Sequence, residues 1–487
     1  MRVRYGVFIA TLLVSMASAA NASPWAEVGD DQLRSDVELL ANAGVIDVIT
    51  TQWPLPWGGI LMQLHNKDLS VEPDGVREAA ERVLRAGEAQ TAPGFHASAY
   101  ADGTNDPAVV RGFDALGRED GQAQISGEYM GETTAIRLSA GAEYTHFPHQ
   151  TKFLPDGSYA AQTIGGALVY AGYVTHWWGP GWVSALSLSN NARPFPHVGI
   201  ERVDNTPFHS PWLSWLGPWQ AEFFAGVLDG PRTDRNTIYD GLRVAFNPLP
   251  GLEIGLARTD EICGEHHDCN PLDYFDVRNG NAHVNSTNDE SNIDLRYTNR
   301  VGGLPFEIYT QLMNEDTNPL WHSDTSHLFG GSLWVPTDGA PLRLTLEYAD
   351  TVPTMNIFSF GDLAYGTAYN NYSYTDGMRY RGRSLGASLD SDSRLLTAQA
   401  SWRAQNGFVY TVSYDHANVS DSHIADLSPY FYNAVTTAPV TINMGVARIS
   451  MPFDGFTVDL EGRVQDDQPR PHHGAAGAVE MALKYGL

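Results

Sequence analysis

The chain is poor in cysteine. Two cysteines in 487 residues, Cys263 and Cys269 within CGEHHDC, exclude a small disulfide-rich scaffold. Positive charge is also scarce: 30 lysines and arginines stand against 57 aspartates and glutamates, for a formal net charge of −27. That balance argues against nucleic acid as a partner, because phosphate binding needs a basic face. Nothing after the first residues approaches the roughly 18 to 20 apolar residues of a membrane helix, which excludes a helical inner-membrane protein. Catalytic signatures are thin. There is no HExxH zinc helix, no hydrolase nucleophile elbow is read, and His176, His197, His209 and His322 are scattered. No catalytic residue, metal ligand or cofactor is assigned.

What is present begins with a leader. Arg2 and Arg4 precede an apolar stretch over 5–16, and Ala20-Asn21-Ala22 forms a small-x-small cleavage site. Residues 1–22 are therefore expected to be a secretory signal peptide. In an exported chain the close pair Cys263 and Cys269 reads as a small disulfide loop. A Cys/His metal site with His266 or His267 is the alternative, disfavoured by the oxidising compartment.

Two regions follow. Over 23–92 the spacing predicts a small helical module. Asp30 or Asp31 caps a helix carrying Leu33, Val37 and Leu40, and Asp74 opens another with Val76, Ala79, Ala80, Val83 and Leu84 in a stripe. Over 93–487 the period changes to two, and about eighteen strand segments can be drawn, among them 162–174, 183–189 and 197–203. In LRLTLEYAD, Leu342, Leu344, Leu346 and Tyr348 share one face, with Arg343, Thr345 and Glu347 on the other. In VTINMGVARIS, Val440, Ile442, Met444 and Val446 share a face, interrupted by Arg448.

Tight turns such as VGGLP and PFDG alternate with long polar loops, as in a membrane barrel. The last segment places Val479, Met481, Leu483, Tyr485 and Leu487 on one face. The expected fold is an all-β transmembrane barrel of about 18 antiparallel strands, whose closure removes the free edges of an open sheet. Such a barrel in an exported chain is expected in a Gram-negative outer membrane.

Three stretches carry candidate chemistry. In THWWGPGW and the following LSNNARPFP, Trp177, Trp178 and Trp182 offer apolar faces, and Asn190, Asn191 and Arg193 offer planar polar groups suited to sugars. The plainer reading is an interfacial girdle or a packed turn. In GMRYRGRSLGASLDSDSR, Arg379, Arg381 and Arg383 recur at period two and could bind an anionic polysaccharide. Internal pairing with carboxylates such as Asp390 or Asp392 competes with that. In PWLSWLGPWQ, Trp212, Trp215 and Trp219 read as an aromatic belt. If 183–189 and 197–203 are separate strands, WWGPGW is a periplasmic turn; if 183–203 is one bent strand, it lies outside.

The chain resembles the Wzi family of capsule assembly proteins. The resemblance rests on WPLPW (53–57), WWGPGW (177–182), LSNNARPFP (188–196) and YRGRSLGASLDSDSR (380–394). It implies an outer-membrane barrel with a periplasmic-side helical bundle, and lectin-like handling or surface anchoring of capsular or extracellular polysaccharide. The expected partners are that polysaccharide and outer-membrane lipid, with the protein a monomer. A porin-like channel for sugars or small solutes is the second reading, and a barrel hydrolase assembling its triad from separate strands the third.

Overall fold

The computed structural model describes residues 23–487 except 147–148, 268, 270–286, 316–323, 358, 360, 423–427, 470–473 and 487. The expected leader, residues 1–22, lies outside the described residues. Three helices precede the barrel. Helix α1 spans Asp31–Asn42, and the Asp30 carboxylate caps it by accepting from the Leu33 amide at 2.9 Å. Helix α2 spans Trp57–His65 and α3 spans Asp74–Gln90. Val76, Ala79, Ala80 and Val83 bury the apolar stripe of α3. Gly87 lets α3 approach α2 closely: a Cβ there would lie 2.8 Å from the Trp57 ring.

The barrel strands, in chain order, are β1 Gly94–Thr104, β2 Gly121–Met130, β3 Thr134–Thr145, and β4 in two pieces, Gln150–Leu154 and Tyr159–Ile164. Next come β5 Ala167–Gly172, β6 His197–Arg202, β7 Trp219–Leu228, β8 Thr237–Leu249 and β9 Leu252–Ile262. Then come β10 Asn288–Val301, β11 Leu304–Glu315, β12 Thr325–Val335 and β13 Leu342–Thr354. The last are β14 Arg394–Arg403, β15 Val409–Val419, β16 Val440–Phe453, β17 Phe456–Gln465 and β18 Ala476–Gly486. Both pieces of β4 pair with β3, so the wall has eighteen strand positions. β18 closes on β1, with Glu480 opposite Thr104 and Gly486 opposite Ser98. Every pairing is antiparallel, and no edge of the sheet as a whole is left open.

The period of two sorts the faces as the sequence suggests. On β13, Leu344 and Leu346 are exposed on the outside, while Arg343, Thr345 and Glu347 are buried in the lumen. On β18, Val479, Met481, Leu483 and Tyr485 point outward. An apolar outer band of this kind is the pattern of transmembrane barrels. No described helix is long and apolar enough to cross a membrane.

Three segments depart from expectation. The stretch 162–174 is a hairpin, turned at Gly165 and Gly166, where Gly165 has φ +61°. The stretch 183–189 joins no barrel strand. Val183, Leu186 and Leu188 are buried, and so are Ser184 and Ser187, because the segment runs through the lumen with protein on every side. These two differences cancel in the strand count. On β16 the shared apolar face points inward: Val440, Ile442 and Met444 pack in the lumen core, and Arg448 on the same face pairs with Asp114.

Candidate functional site

The lumen is filled by inward-folded parts of the chain, among them the 105–120 loop between β1 and β2, where Phe113 is fully buried. From the short-turn end comes the helical module, with the stretch 48–57 inserted. From the long-loop end come the 173–196 strap between β5 and β6 and the 355–393 loop between β13 and β14. Trp177 and Trp178 of the strap pair as a short antiparallel ladder with Trp53 and Gln52 of the module. The Ser189 amide donates to the Leu385 carbonyl at 2.8 Å, tying strap to loop.

Charged side chains on the lumen face hold these parts. Arg243 on β8 donates to the Thr51 carbonyl at 3.0 Å and pairs with Asp294 at 2.6 Å. Glu253 on β9 accepts from the Thr50 amide at 2.8 Å. Arg343 on β13 pairs with Asp31 of α1. The Glu347 carboxylate accepts from three successive backbone amides, those of Trp182 at 2.7 Å, Val183 at 3.2 Å and Ser184 at 2.6 Å. That is an anion nest in which the anion is supplied by the barrel wall.

The tryptophans singled out in the sequence lie inside. Trp177 and Trp178 are 0% exposed and Trp182 is 2% exposed. Trp177 donates to the Gly181 carbonyl at 2.9 Å, and Trp182 donates to Glu307 at 2.8 Å. The polar side chains of Asn190, Asn191 and Arg193 on the same strap are also buried, and each donates to the surrounding protein. Asn190 donates to the Gly112 and Phe113 carbonyls, Asn191 to the Ser384 carbonyl at 2.9 Å, and Arg193 pairs with Asp156 at 2.7 Å.

The three arginines at period two separate. Arg379 is buried, clamps Asp390 with two 2.7 Å hydrogen bonds, and lies over the Tyr432 ring. Arg381 pairs with Asp229 at 3.2 Å and keeps 28% of its side chain exposed. Arg383 keeps 25% exposed, with Glu119 at 3.5 Å. Arg118 and Arg111 sit close by. Burial first, then the Arg118 and Arg383 charges, push the Arg111 guanidinium down to about 9. Carboxylates stand among these arginines at the long-loop end: Asp390, Asp229, Glu119 and, 4.0 Å from Arg118, Asp156.

The string GRSLG, residues 382–386, matches the spacing of a hydrolase elbow. Here Ser384 lies in a two-residue strand paired with Arg379, not between a strand and a helix, and its hydroxyl accepts from the Gly386 amide. Cys263 and Cys269 are joined by a disulfide beyond the end of β9. His267 pairs with Asp234 at 3.1 Å and stacks on Tyr374 at 4.0 Å.

Sequence reasoning did not single out the tyrosines of the loops at this end. Tyr372, Tyr430, Tyr365 and Tyr432 are exposed, and the Tyr372 ring lies 4.7 Å from that of Phe431. The signal was there in NNYSYTDG (370–377) and SPYFYN (428–433), where tyrosine alternates with amides and hydroxyls.

Comparison with known proteins gives consistent results. The profile of the family described as capsule assembly protein Wzi matches residues 91–468. An uncharacterised 55.8 kDa protein in the cps region of Klebsiella pneumoniae is 26% identical over 311 residues, covering 63% of this chain and 61% of that protein, less than two thirds of its length. Among solved structures, Wzi of Escherichia coli superposes with a TM-score of 0.78 at 20% identity, covering 96% of this chain and 99% of its own. That protein is described as an outer-membrane, carbohydrate-binding β-barrel involved in group 1 capsule assembly.

Proposed function

The chain belongs to the Wzi family of capsule assembly proteins, and on that premise we propose that it is a non-enzymatic outer-membrane lectin holding a surface polysaccharide at the cell exterior. In bacterial outer-membrane barrels the short turns are periplasmic and the long loops extracellular. The helical module then faces the periplasm, and the loops carrying Tyr365, Tyr372, Tyr430 and Tyr432 face the medium.

The observation that carries the reading is the contrast between the lumen and the outer loops. The lumen is packed with protein, while the outer loops present exposed tyrosine rings and the part-exposed guanidinium groups of Arg381 and Arg383. Tyrosine gives an apolar face for sugar C–H surfaces and a hydroxyl for sugar oxygens. The two arginines give forked donors for carboxylates on an acidic glycan. A packed lumen also fits a binding protein better than an open sugar channel.

The test uses purified protein and polysaccharide extracted from its own host. Wild type binds, and material from a host lacking its capsule or exopolysaccharide locus gives no binding. Tyr372→Ala with Tyr430→Ala weakens binding about tenfold, at roughly 0.5–1.5 kcal/mol per ring. Unchanged surface retention of polysaccharide in cells lacking this protein would refute the reading.

A further inference from the structure

The barrel wall is low at one place. β5 and β6 have six residues each, against ten in β7 and twelve in β3. A transmembrane strand needs about 9–11 residues to cross the hydrocarbon. Beside them β4 is broken at 155–158, and β5 pairs only with its second piece, Tyr159–Ile164. The wall beyond β5 and β6 is therefore completed by irregular backbone.

That backbone is held by a few bonds. The Gly157 amide donates to the Tyr173 carbonyl at 3.0 Å, and the Tyr173 amide to the Ser158 carbonyl at 2.8 Å. Arg193 staples the strap to Asp156 at 2.7 Å and donates to the Phe153 carbonyl at 3.2 Å. The Val227 amide donates to the Pro196 carbonyl at 3.0 Å. On the outside, Phe153 and Val198 are well exposed.

Directly behind this patch is a cavity of about 70 Å³, lined by Trp25, Glu27, Arg137, Tyr159, Tyr173 and Thr175 among others. Gly157, Tyr173 and Val174 belong both to the irregular wall and to the cavity lining. Trp25, Tyr159 and Tyr173 offer faces to the C–H surface of a pyranose, and Thr175 and the Glu27–Arg137 pair line its rim, with Arg137 also held by Glu128. At about 70 Å³ the cavity is smaller than a sugar ring, so occupancy requires the Tyr173–Val174 segment to swing outward. Only two backbone hydrogen bonds tie that segment to the break in β4.

We propose that this low wall is a side-facing site for a lipid-anchored saccharide, with the sugar in the cavity and the acyl chains against Phe153 and Val198. The proposal deepens the polysaccharide-binding reading and rests on it. A lipid-anchored glycan joins the two chemistries that the patch places back to back, an apolar outer face and an aromatic, hydrogen-bonding interior. A free sugar would have no use for the outer face.

The test places the full mature protein in phospholipid nanodiscs with a glucosyl diacylglycerol carrying a photoreactive diazirine on the sugar. Crosslinked peptides are mapped by mass spectrometry. Labelling should concentrate on residues 153–175 and 25–28. It should fall about fivefold in Val174→Trp, which fills the cavity. Excess unlabelled glucosyl diacylglycerol should compete, and free glucose should not. Heat-modifiable migration on gels confirms that the variant folds. Should it not fold, Thr175→Trp fills the same space and the competition arm still decides. Even labelling around the barrel, labelling indifferent to the filling variant, or equal competition by free glucose overturns the proposal. Polysaccharide binding is measured on the same samples. Even labelling with binding retained means the side site is wrong and the lectin reading stands. Concentrated labelling with binding absent means the reverse.

Discussion

The guanidinium of Arg34, on the first helix, lies 4.1 Å from the centre of the Trp182 ring on the strap. Arg343 of β13 lies over the same ring at 3.4 Å. Arg34 also donates to the Pro180 and Gly181 carbonyls at 2.8 and 2.9 Å and pairs with Glu38 at 2.9 Å. One arginine thus ties the helical module to a loop that enters from the other end of the barrel.

Arg34→Ala should loosen the module without unfolding the wall. Its removal takes a donor from the Pro180 and Gly181 carbonyls and from Glu38, at about 1–3 kcal/mol for each buried group left unsatisfied. The expected outcome is trypsin cleavage within residues 23–92 of the variant under conditions where wild type resists. Arg34→Lys should fall between the two, since an ammonium cannot span two carbonyls and a carboxylate as the planar fork does. Equal resistance of all three proteins would rule out this role.

The strands and helices were legible in the sequence because periodicity reports which face is buried. Leu344 and Leu346 against Arg343 and Glu347 needed no structure to be sorted. The same logic misled where the lumen is packed with protein. The alternation over 183–189 looks like a strand because protein surrounds the segment on all sides, and β16 turns its apolar face inward for the same reason. Trp177, Trp178, Trp182, Asn190, Asn191 and Arg193 were legible as an unusual group, but residue type does not say whether a planar polar group meets a ligand or a backbone carbonyl. Asn190 and Asn191 meet carbonyls. Arg381 and Arg383 differ from Arg379 in exposure and in which carboxylate the fold brings near, long-range facts that period two cannot encode.

Glu347 is the second place where a single side chain holds the strap. Its carboxylate serves three amides and the Tyr309 hydroxyl, so Glu347→Ala takes the acceptor from four buried donors, at about 1–3 kcal/mol for each unsatisfied group. The strap should then lose its fixed path. In planar bilayers wild type should show no stable large conductance, and the variant should show frequent opening events. A wild type that conducts steadily would contradict the packed lumen.

Arg381 and Arg383 should govern the electrostatic part of glycan binding. Arg381→Gln with Arg383→Gln should weaken binding to an acidic polysaccharide and flatten its dependence on ionic strength, since surface pairs are screened over about 10 Å at 0.1 M salt. Binding of a neutral glycan should be unaffected. Equal loss for both glycans would assign the arginines to loop structure instead of ligand contact.

Docking of the module should depend on pH through Glu38. Burial first, and the nearby Glu307 charge second, push the Glu38 carboxyl up to about 8, against the opposing pull of Arg296 and Arg34. In the unfolded chain the group returns to its ordinary value of 4.5. The docked state therefore binds the proton more tightly than the undocked chain does. The resulting stabilisation is complete below the ordinary value, falls as pH rises through the interval up to about 8, and is gone above it. The urea midpoint for module release, followed by tryptophan fluorescence, should fall between about pH 5 and pH 8 and then level. Glu38→Gln keeps the shape and a hydrogen-bonding side chain but cannot ionise, so its midpoint should not show that fall. A midpoint that rises over the same interval, or an identical slope in the variant, would show that another group controls docking.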